Sequence, residues 1–432
     1  MKLHSYTFYT MLNIKLLRED PHFVKERLIV KNFDATSILD SVLDLDVKRR
    51  DIQTQLDSLL AEQNTISKQI GLLMREGKRE EAAKAKSSVT HFKESAKELE
   101  SKMEFYAKEL DSLLVQLPNI PHTSVPVGKS EQDNETVKEG GVMPELKFTI
   151  PHWELAQKYD IIDFDLGVKL TGAGFPVYKG KGARLQRALI TYFLDKNREA
   201  GYSEVMPPLM VNEASGYGTG QLPDKGNQMY HVGLDNFYLI PTAEVPVTNI
   251  FRDVILSEKE LPIKVTAYTP CFRREAGSYG KDVRGLNRLH QFDKVEVVQI
   301  AHPNNSYAIL DEMVAHIESI VKELGLPYRI LRLCGGDLSF TSALTYDFEV
   351  YSAAQKRWLE VSSVSNFETF QANRLKLRYR DEKGKSQLAH TLNGSSLALP
   401  RILAALLENY QENGKIRIPD VLVPYTGFEY ID

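Results

Sequence analysis

From Leu45 to Leu117 the chain repeats apolar residues at alternating steps of four and three, and that repeat leaves few folds open. Positions 45, 49, 52, 56, 59, 63, 66, 70 and 73 hold Leu, Arg, Ile, Leu, Leu, Gln, Ile, Ile and Leu, so seven of nine are apolar. After Gly77 the pattern resumes at 82, 85, 89, 92, 96, 99, 103, 106, 110, 113 and 117, and every one of these residues is apolar or aromatic. A 3.5-residue period implies two helices supercoiled along a narrow seam, and Gly77 near the midpoint makes them an antiparallel hairpin. At 1.5 Å per residue each helix would span roughly 45 Å, so the hairpin is expected to project from a globular body.

Charge is unevenly placed along it. Lys68, Arg75, Lys78, Arg79, Lys84, Lys86 and Lys93 outnumber Glu76, Glu80 and Glu81, a local excess of +4, whereas residues 41–67 sum to −2 and residues 94–117 to −3. Cations on the outer half of an acidic stem suit an arm that follows a phosphate backbone and releases its counterions. The residues alone favour a solvated helical surface or a seam between subunits, and only catalytic motifs elsewhere in the chain turn the reading toward a phosphate-tracking arm.

At 432 residues the chain exceeds one ordinary core, and two or more domains are expected. Pro118, Pro121, Pro126 and Gly128, with the acidic-polar run from Glu131 to Glu139, break any helix. They place a linker at 118–145, between a helical arm at 11–117 and a second domain at 146–432. A net charge of −4 gives no global sign of nucleic-acid binding. The two cysteines, Cys271 and Cys334, support neither a disulfide framework nor, by themselves, a zinc site, which suits a reducing cytoplasm. No zinc is expected. No apolar run reaches the roughly 20 residues of a membrane span and the N-terminus lacks a signal-peptide core, so no membrane partner is expected. Residues 1–10 precede a second methionine, Met11, and read as an extension or disordered leader.

The chemistry concentrates in two segments rich in β-branched and aromatic residues, Lys264–Glu275 and Leu289–Ile300, joined by a loop carrying Gly277, Gly280 and Gly285. They read as antiparallel strands. Residues two apart share a strand face, so Arg273 and Glu275 look one way, and Phe292, Lys294 and Glu296 share a face of the second strand. Phe292 and Glu296 would stand roughly 13 Å apart, a span suited to a base at one end and an amine at the other.

Phe272-Arg273-Arg274-Glu275 and Leu289-His290-Gln291-Phe292-Asp293-Lys294-Val295-Glu296 resemble motif 2 of class II aminoacyl-tRNA synthetases. The loop from Ala276 to Leu286 is similar to that of the seryl-tRNA synthetases in particular. Thr242-Ala243-Glu244 resembles that family's serine-binding segment, and Thr391-Leu392-Asn393-Gly394-Ser395-Ser396 through Arg401 resembles motif 3. Gly201–Pro208 looks like motif 1, which builds the dimer interface in this class. The likeness runs from about Met11 to the C-terminus.

The resemblance implies an α+β fold, an antiparallel β-sheet class II catalytic domain with helices, preceded by the coiled-coil arm. It implies activation of L-serine by ATP, transfer to serine tRNA and, where it exists, selenocysteine tRNA, and a cytoplasmic homodimer. Arg273 would bridge the serine carboxylate and the α-phosphate, Arg288 would steer the β- and γ-phosphates, and Glu275 would orient the nucleotide. Phe292 and Arg401 would stack on opposite adenine faces, although most phenylalanines are core residues. Arg274 and Leu289 would border the nucleotide. Glu360-Val361-Ser362-Ser363 resembles the segment whose first and last residues hold Mg²⁺ against the phosphates. Residues three apart do not share a face on a regular strand, so a bulge or strand end is expected between Glu360 and Ser363. Thr242 and Glu296 would hold the serine amine, Glu296 and Ser395 its hydroxyl, and Asn393 the pocket, with Ala243 and Glu244 alongside. Gly216–Gly220 matches a loop near that pocket, which a mobile surface loop explains equally well. The seven basic arm residues would grip the tRNA by shape and backbone. An amino acid:carrier-protein ligase would lack the arm, and a non-catalytic tRNA-binding paralogue would lack the full set of site residues.

Overall fold

The computed structural model describes residues 12, 14–146, 149–224, 226–275 and 284–432. The N-terminal extension and residues 276–283 of the glycine-bearing loop lie outside them. The chain divides into two compact units, one of residues up to 29 with 34–118, the other of 30–33 with 119–432.

The first unit is built on α3 (Thr36–Arg75) and α4 (Arg79–Leu114), preceded by α1 (Ile14–Glu19) and α2 (Pro21–Val30). The two long helices turn at Gly77, whose φ of +78° is the left-handed conformation that glycine adopts without strain. None of the predicted heptad positions is exposed, and Leu56, Ala82, Ala96 and Leu110 among them are buried. The helices are longer than the repeat implied: 40 and 36 residues, or about 60 and 54 Å. α3 starts nine residues before Leu45 because Leu39 and Val42 are buried at the base, where Leu17, Val24 and Leu28 of the short helices are buried too. Asp46, completely buried, sits among Arg18, Arg49 and Arg50 at 3.6, 2.9 and 3.0 Å. Three guanidinium groups supply the pairing that a buried carboxylate requires.

The second unit is organised by an eight-stranded sheet. Its strands in chain order are β1 (Glu135–Gly140), β2 (Ser203–Glu204), β3 (Ile263–Phe272), β4 (Gln291–Ala301), β5 (Tyr328–Arg332), β6 (Leu344–Ser352), β7 (Arg357–Asn366) and β8 (His390–Ala398). They lie in the order β1-β5-β6-β7-β8-β4-β3-β2, and all neighbours are antiparallel except β2 and β3. Val295 and Val297 of β4 join a core with Leu189 and Phe193 of the helix Gly180–Glu199, Ile317 of the helix Ser306–Glu323, and Leu403 and Leu407 of the helix Leu399–Asn409. Val298 and Ile300 face the other way, into a smaller cluster with Val265, Ala267, Ala243 and Leu375. Period-two alternation thus buries β4 on both sides.

The expected linker is a correction. Residues 119–145 belong to the second unit: the Asn119 side-chain amide donates to the carbonyls of Thr341 and Phe367, both at 2.8 Å, and Glu135–Gly140 is the edge strand β1. Its charged residues read as linker because an exposed edge strand needs no alternating pattern and is protected by charge.

Candidate active site

Two irregularities put the chemistry on one sheet face. Directly opposed residues of antiparallel strands share a face, so the pairs Glu296 with Ser395, Val298 with Asn393, and Asn393 with Ser365 carry one surface across β4, β8 and β7. On β7, Ser363 pairs with Asp347 and Ser362 with Phe348, but Glu360 pairs with Glu349, so Val361 is an extra residue. This bulge returns Glu360 to the face of Ser363, as their spacing of three demands. A second shift lies between Lys294 and Glu296, whose partners Ala398 and Ser395 are three apart.

At one end of this face Glu296, almost wholly buried, receives the Thr242 hydroxyl at 3.2 Å and the Lys294 ammonium at 2.7 Å. The Thr242 oxygen also accepts the Glu244 backbone N–H at 3.2 Å. Ala243 is fully buried in the apolar cluster, so only its backbone is available. Glu244 is buried against Gln371, whose amide donates to it at 2.6 Å, and against Asn393. The Thr391 hydroxyl donates to Gln371 at 2.7 Å and fixes the orientation of that amide. Burial, and then the nearby Glu296 carboxylate, push the Glu244 carboxyl up to about 7 from 4.5. A carboxyl raised on folding opposes stability as it ionises, so its cost grows from about pH 4.5 to about pH 7 and then levels off. Glu244→Gln, which keeps an acceptor for Gln371, is therefore expected to gain thermal midpoint over the parent progressively from pH 5 to pH 7.5. Melting curves at several pH values check this.

The segment Gly216–Gly220 is not a surface loop. It closes the helix Glu213–Thr219, capped by the Asn212 side chain at the Ser215 N–H, 3.0 Å, with Ser215, Gly216, Gly218 and Thr219 buried. Arg374 ties it down by donating to the Tyr217 carbonyl at 2.9 Å.

At the other end, the Arg273 guanidinium lies 5.1 Å from the Phe292 ring centroid, while its Nε donates to the Pro241 carbonyl at 3.3 Å, one residue before Thr242. Arg273 thus lies over Phe292, and its Pro241 contact leads through the next residue, Thr242, to Glu296. Glu275 differs from the alternation expected: β3 ends at Phe272, and Glu275 has a φ of +48° and pairs with Arg288 at 3.0 Å. Arg274 points elsewhere, toward the Asn227 side chain at 3.1 Å. Leu289 and Val361 bury their side chains in the core, and the Ser362 hydroxyl donates to the Ser395 carbonyl at 2.6 Å. Arg401 stands on the first turn of its helix, 3.6 Å from the Glu360 carboxylate, and donates to the carbonyls of Glu360 at 2.8 Å and Asn287 at 3.1 Å.

Sequence reasoning missed Asp347, Lys294 as a partner of Glu296, and Gln371. Asp347 lies opposite Ser363 with its Oδ1 buried and without a hydrogen-bond partner. Burial and then Glu360 hold its carboxyl well above the usual range. Two carboxylates and a hydroxyl on one face suit a hard cation that also takes phosphate oxygens. Among the described residues no group of three His, Cys, Asp or Glu could hold a metal unaided. In the first unit, Lys68, Arg75, Lys78, Arg79, Lys84, Lys86 and Lys93 are all exposed, and Lys78 pairs with Glu76 at 2.9 Å.

Residues 230–410 match the family model of the tRNA synthetase class II core domain (G, H, P, S and T), and residues 11–121 that of the seryl-tRNA synthetase N-terminal domain. A serine–tRNA ligase of Salinibacter ruber is 53% identical over 98% of this chain and 99% of its own length. That of Akkermansia muciniphila is 48% identical, again over 98% and 99%. The crystal structure of seryl-tRNA synthetase from Pyrococcus horikoshii complexed with ATP superposes with a TM-score of 0.90 at 35% identity, covering 98% of this chain and 99% of that one. A buried acid, a stacked guanidinium and a bulged carboxylate on one antiparallel sheet, with full-length similarity to these ligases, lead to one assignment: the chain belongs to the seryl-tRNA synthetase family of class II serine–tRNA ligases.

Proposed function

We propose that the protein activates L-serine with ATP and transfers it to serine tRNA and, where present, selenocysteine tRNA. What supports this reading is the chain of contacts from Phe292 through Arg273, Pro241 and Thr242 to Glu296, which offers ring, guanidinium and acid in the order of base, phosphate and ammonium in seryl-adenylate. A serine carboxylate oxygen attacks the α-phosphorus, the bond to the β-phosphate breaks and pyrophosphate leaves. A ribose hydroxyl of the tRNA terminus then attacks the carbonyl, and AMP leaves.

Activation needs little acid–base help, because the attacking carboxylate is already ionised at pH 7. Positioning and charge neutralisation do the catalysis. Arg273 holds the serine carboxylate and α-phosphate together, Arg288 takes the outer phosphates, and Glu275 orients the nucleotide. Phe292 supports the adenine, with Arg401 moving from Glu360 to cover its other face. Arg274 and the backbone of Leu289 border the base. Mg²⁺ would be held by Glu360 and Ser363, with Asp347 beside them and Val361 and Ser362 shaping the bulge, and it would neutralise phosphate charge. Thr242 and Glu296 hold the amine, Glu296 and Ser395 the hydroxyl, and Asn393, Ala243 and Glu244 frame the pocket. Buried groups that bond a hydroxyl reject alanine, since they would be left unpaired. Threonine is excluded by crowding.

The exposed cations of the hairpin hold the tRNA. A homodimer is supported by the apolar residues exposed just after the motif 1 segment: Leu209, Met210 and, within the segment, Met206, which is 88% exposed. Among the described residues no helix is long and apolar enough to cross a membrane. A cytoplasmic location is supported by the two free cysteines, Cys271 and Cys334, which suit a reducing compartment.

The test is transfer of labelled serine to purified serine tRNA, with serine-dependent exchange of pyrophosphate into ATP measured alongside. Both activities are expected. Exchange without transfer would favour a carrier-protein ligase, and no exchange with any amino acid would favour a tRNA-binding protein without catalysis.

A further inference from the structure

Residues 286–288 carry a nucleotide ligand, Arg288, on irregular backbone, and a ring of buried hydrogen bonds fixes that backbone. His152, completely buried, accepts the Leu286 backbone N–H at Nε2, 2.8 Å away. A backbone amide can only donate, so Nε2 carries no proton and Nδ1–H is the donor to Glu408 Oε1 at 2.7 Å. That oxygen also accepts the His152 backbone N–H at 3.1 Å and the Gln355 amide at 3.2 Å, while the other accepts the Ser352 hydroxyl. Gln355 Oε1 in turn accepts the Asn287 side-chain amide at 2.9 Å. Leu286 and Asn287 are neighbours in the chain, so the ring closes.

The fit leaves no slack. Gly285 has a φ of +64°, and a Cβ there would lie 2.2 Å from His152 Nε2. Both guanidinium groups of the outer nucleotide site hang on this ring. Arg288 follows Asn287 directly, and Arg401, on the same helix as Glu408, donates to the Asn287 carbonyl at 3.1 Å. Replacing both members of a buried hydrogen-bonded pair by apolar groups of the same shape can be nearly neutral or stabilising, so stability alone is a weak reason for an imidazole and a carboxylate at 0% exposure.

We propose that His152, Glu408 and Gln355 are positioning residues that hold Arg288 and Arg401 in register with the phosphates and base of ATP. This rests on the reading of those two arginines as nucleotide ligands. His152 and Glu408 are both at 0% exposure, out of reach of a bound substrate. They act through the 286–288 backbone, so their loss should appear in the interaction with ATP and not in that with serine.

Two substitutions separate this role from simple core packing. In His152→Asn the amide can still donate to Glu408, but no atom reaches the Leu286 N–H. In His152→Gln the longer amide supplies an acceptor for that N–H. A buried donor left unpaired costs about 1–3 kcal/mol, so the KM for ATP in serine-dependent pyrophosphate exchange should rise about tenfold or more in His152→Asn. The KM for serine should stay within about twofold, and His152→Gln should return the KM for ATP to within about threefold of the parent. Gln355→Met, which leaves the buried pair intact, should raise the KM for ATP in the same way. Equal effects on ATP and serine, or equal loss in Asn and Gln variants with a matching fall in melting temperature, would reduce the ring to packing and overturn the proposal. If the parent protein itself shows no serine-dependent exchange, the proposed function fails first. If the parent exchanges normally and the His152→Asn and Gln355→Met values are unchanged, this inference alone fails.

Discussion

Arg273→Ala is expected to abolish serine-dependent pyrophosphate exchange, lowering kcat/KM by about a thousandfold or more, which is about 4 kcal/mol of transition-state stabilisation. In the proposed site this side chain brings two anions together, the attacking carboxylate and the α-phosphate, and water is a poor substitute for a forked donor already in place. Its contacts are few: the Pro241 carbonyl and the face of Phe292. The variant should therefore fold normally, with a melting temperature close to that of the parent. Arg273→Lys keeps the charge but loses the fork, and should recover only a small part of the activity. Exchange within about tenfold of the parent in Arg273→Ala would remove this residue from the reacting centre.

The second large effect is expected from the hairpin. Reversing Lys78, Arg79, Lys84 and Lys86 to glutamate should leave exchange intact, because activation needs no tRNA, while aminoacylation falls by at least about a hundredfold at physiological salt. All four side chains are exposed, and none lies on the seam positions that hold the two helices together. The salt dependence of tRNA binding should flatten by roughly 0.9 in the log–log slope for each duplex phosphate that is no longer neutralised. Equal loss of exchange and of charging would mean that the hairpin is not a separate tRNA-binding element.

What could be read from the sequence was whatever a fixed period controls. The hairpin seam was legible because heptads report burial directly, and so was the shared face of Phe292, Lys294 and Glu296. The bulge at Val361 was legible by contradiction, since two residues expected to hold one ion cannot stand three apart on the face of a regular strand. Where contacts come from distant parts of the chain, no local pattern exists. Asp347 lies 13 residues from Glu360 across a hairpin, and Gln371 reaches Glu244 from 127 residues away. The early start of α3 depended on the short helices before it, and the charged edge strand β1 looked like a connector. Lys294 was placed on its face but given no partner, because a strand lysine ordinarily points to water; here its ammonium is buried with Glu296.

Each cation proposed to meet the nucleotide's outer end is already matched within the cleft, Arg288 with Glu275 and Arg401 with Glu360. A triphosphate must therefore displace resident carboxylates, not only solvent. Weakly charged anions gain too little from that exchange to lodge there, whereas a polyanion that spans both positions repays it at once. In the proposed site, removal of either acid would leave one arginine without its resident partner and open it to small anions.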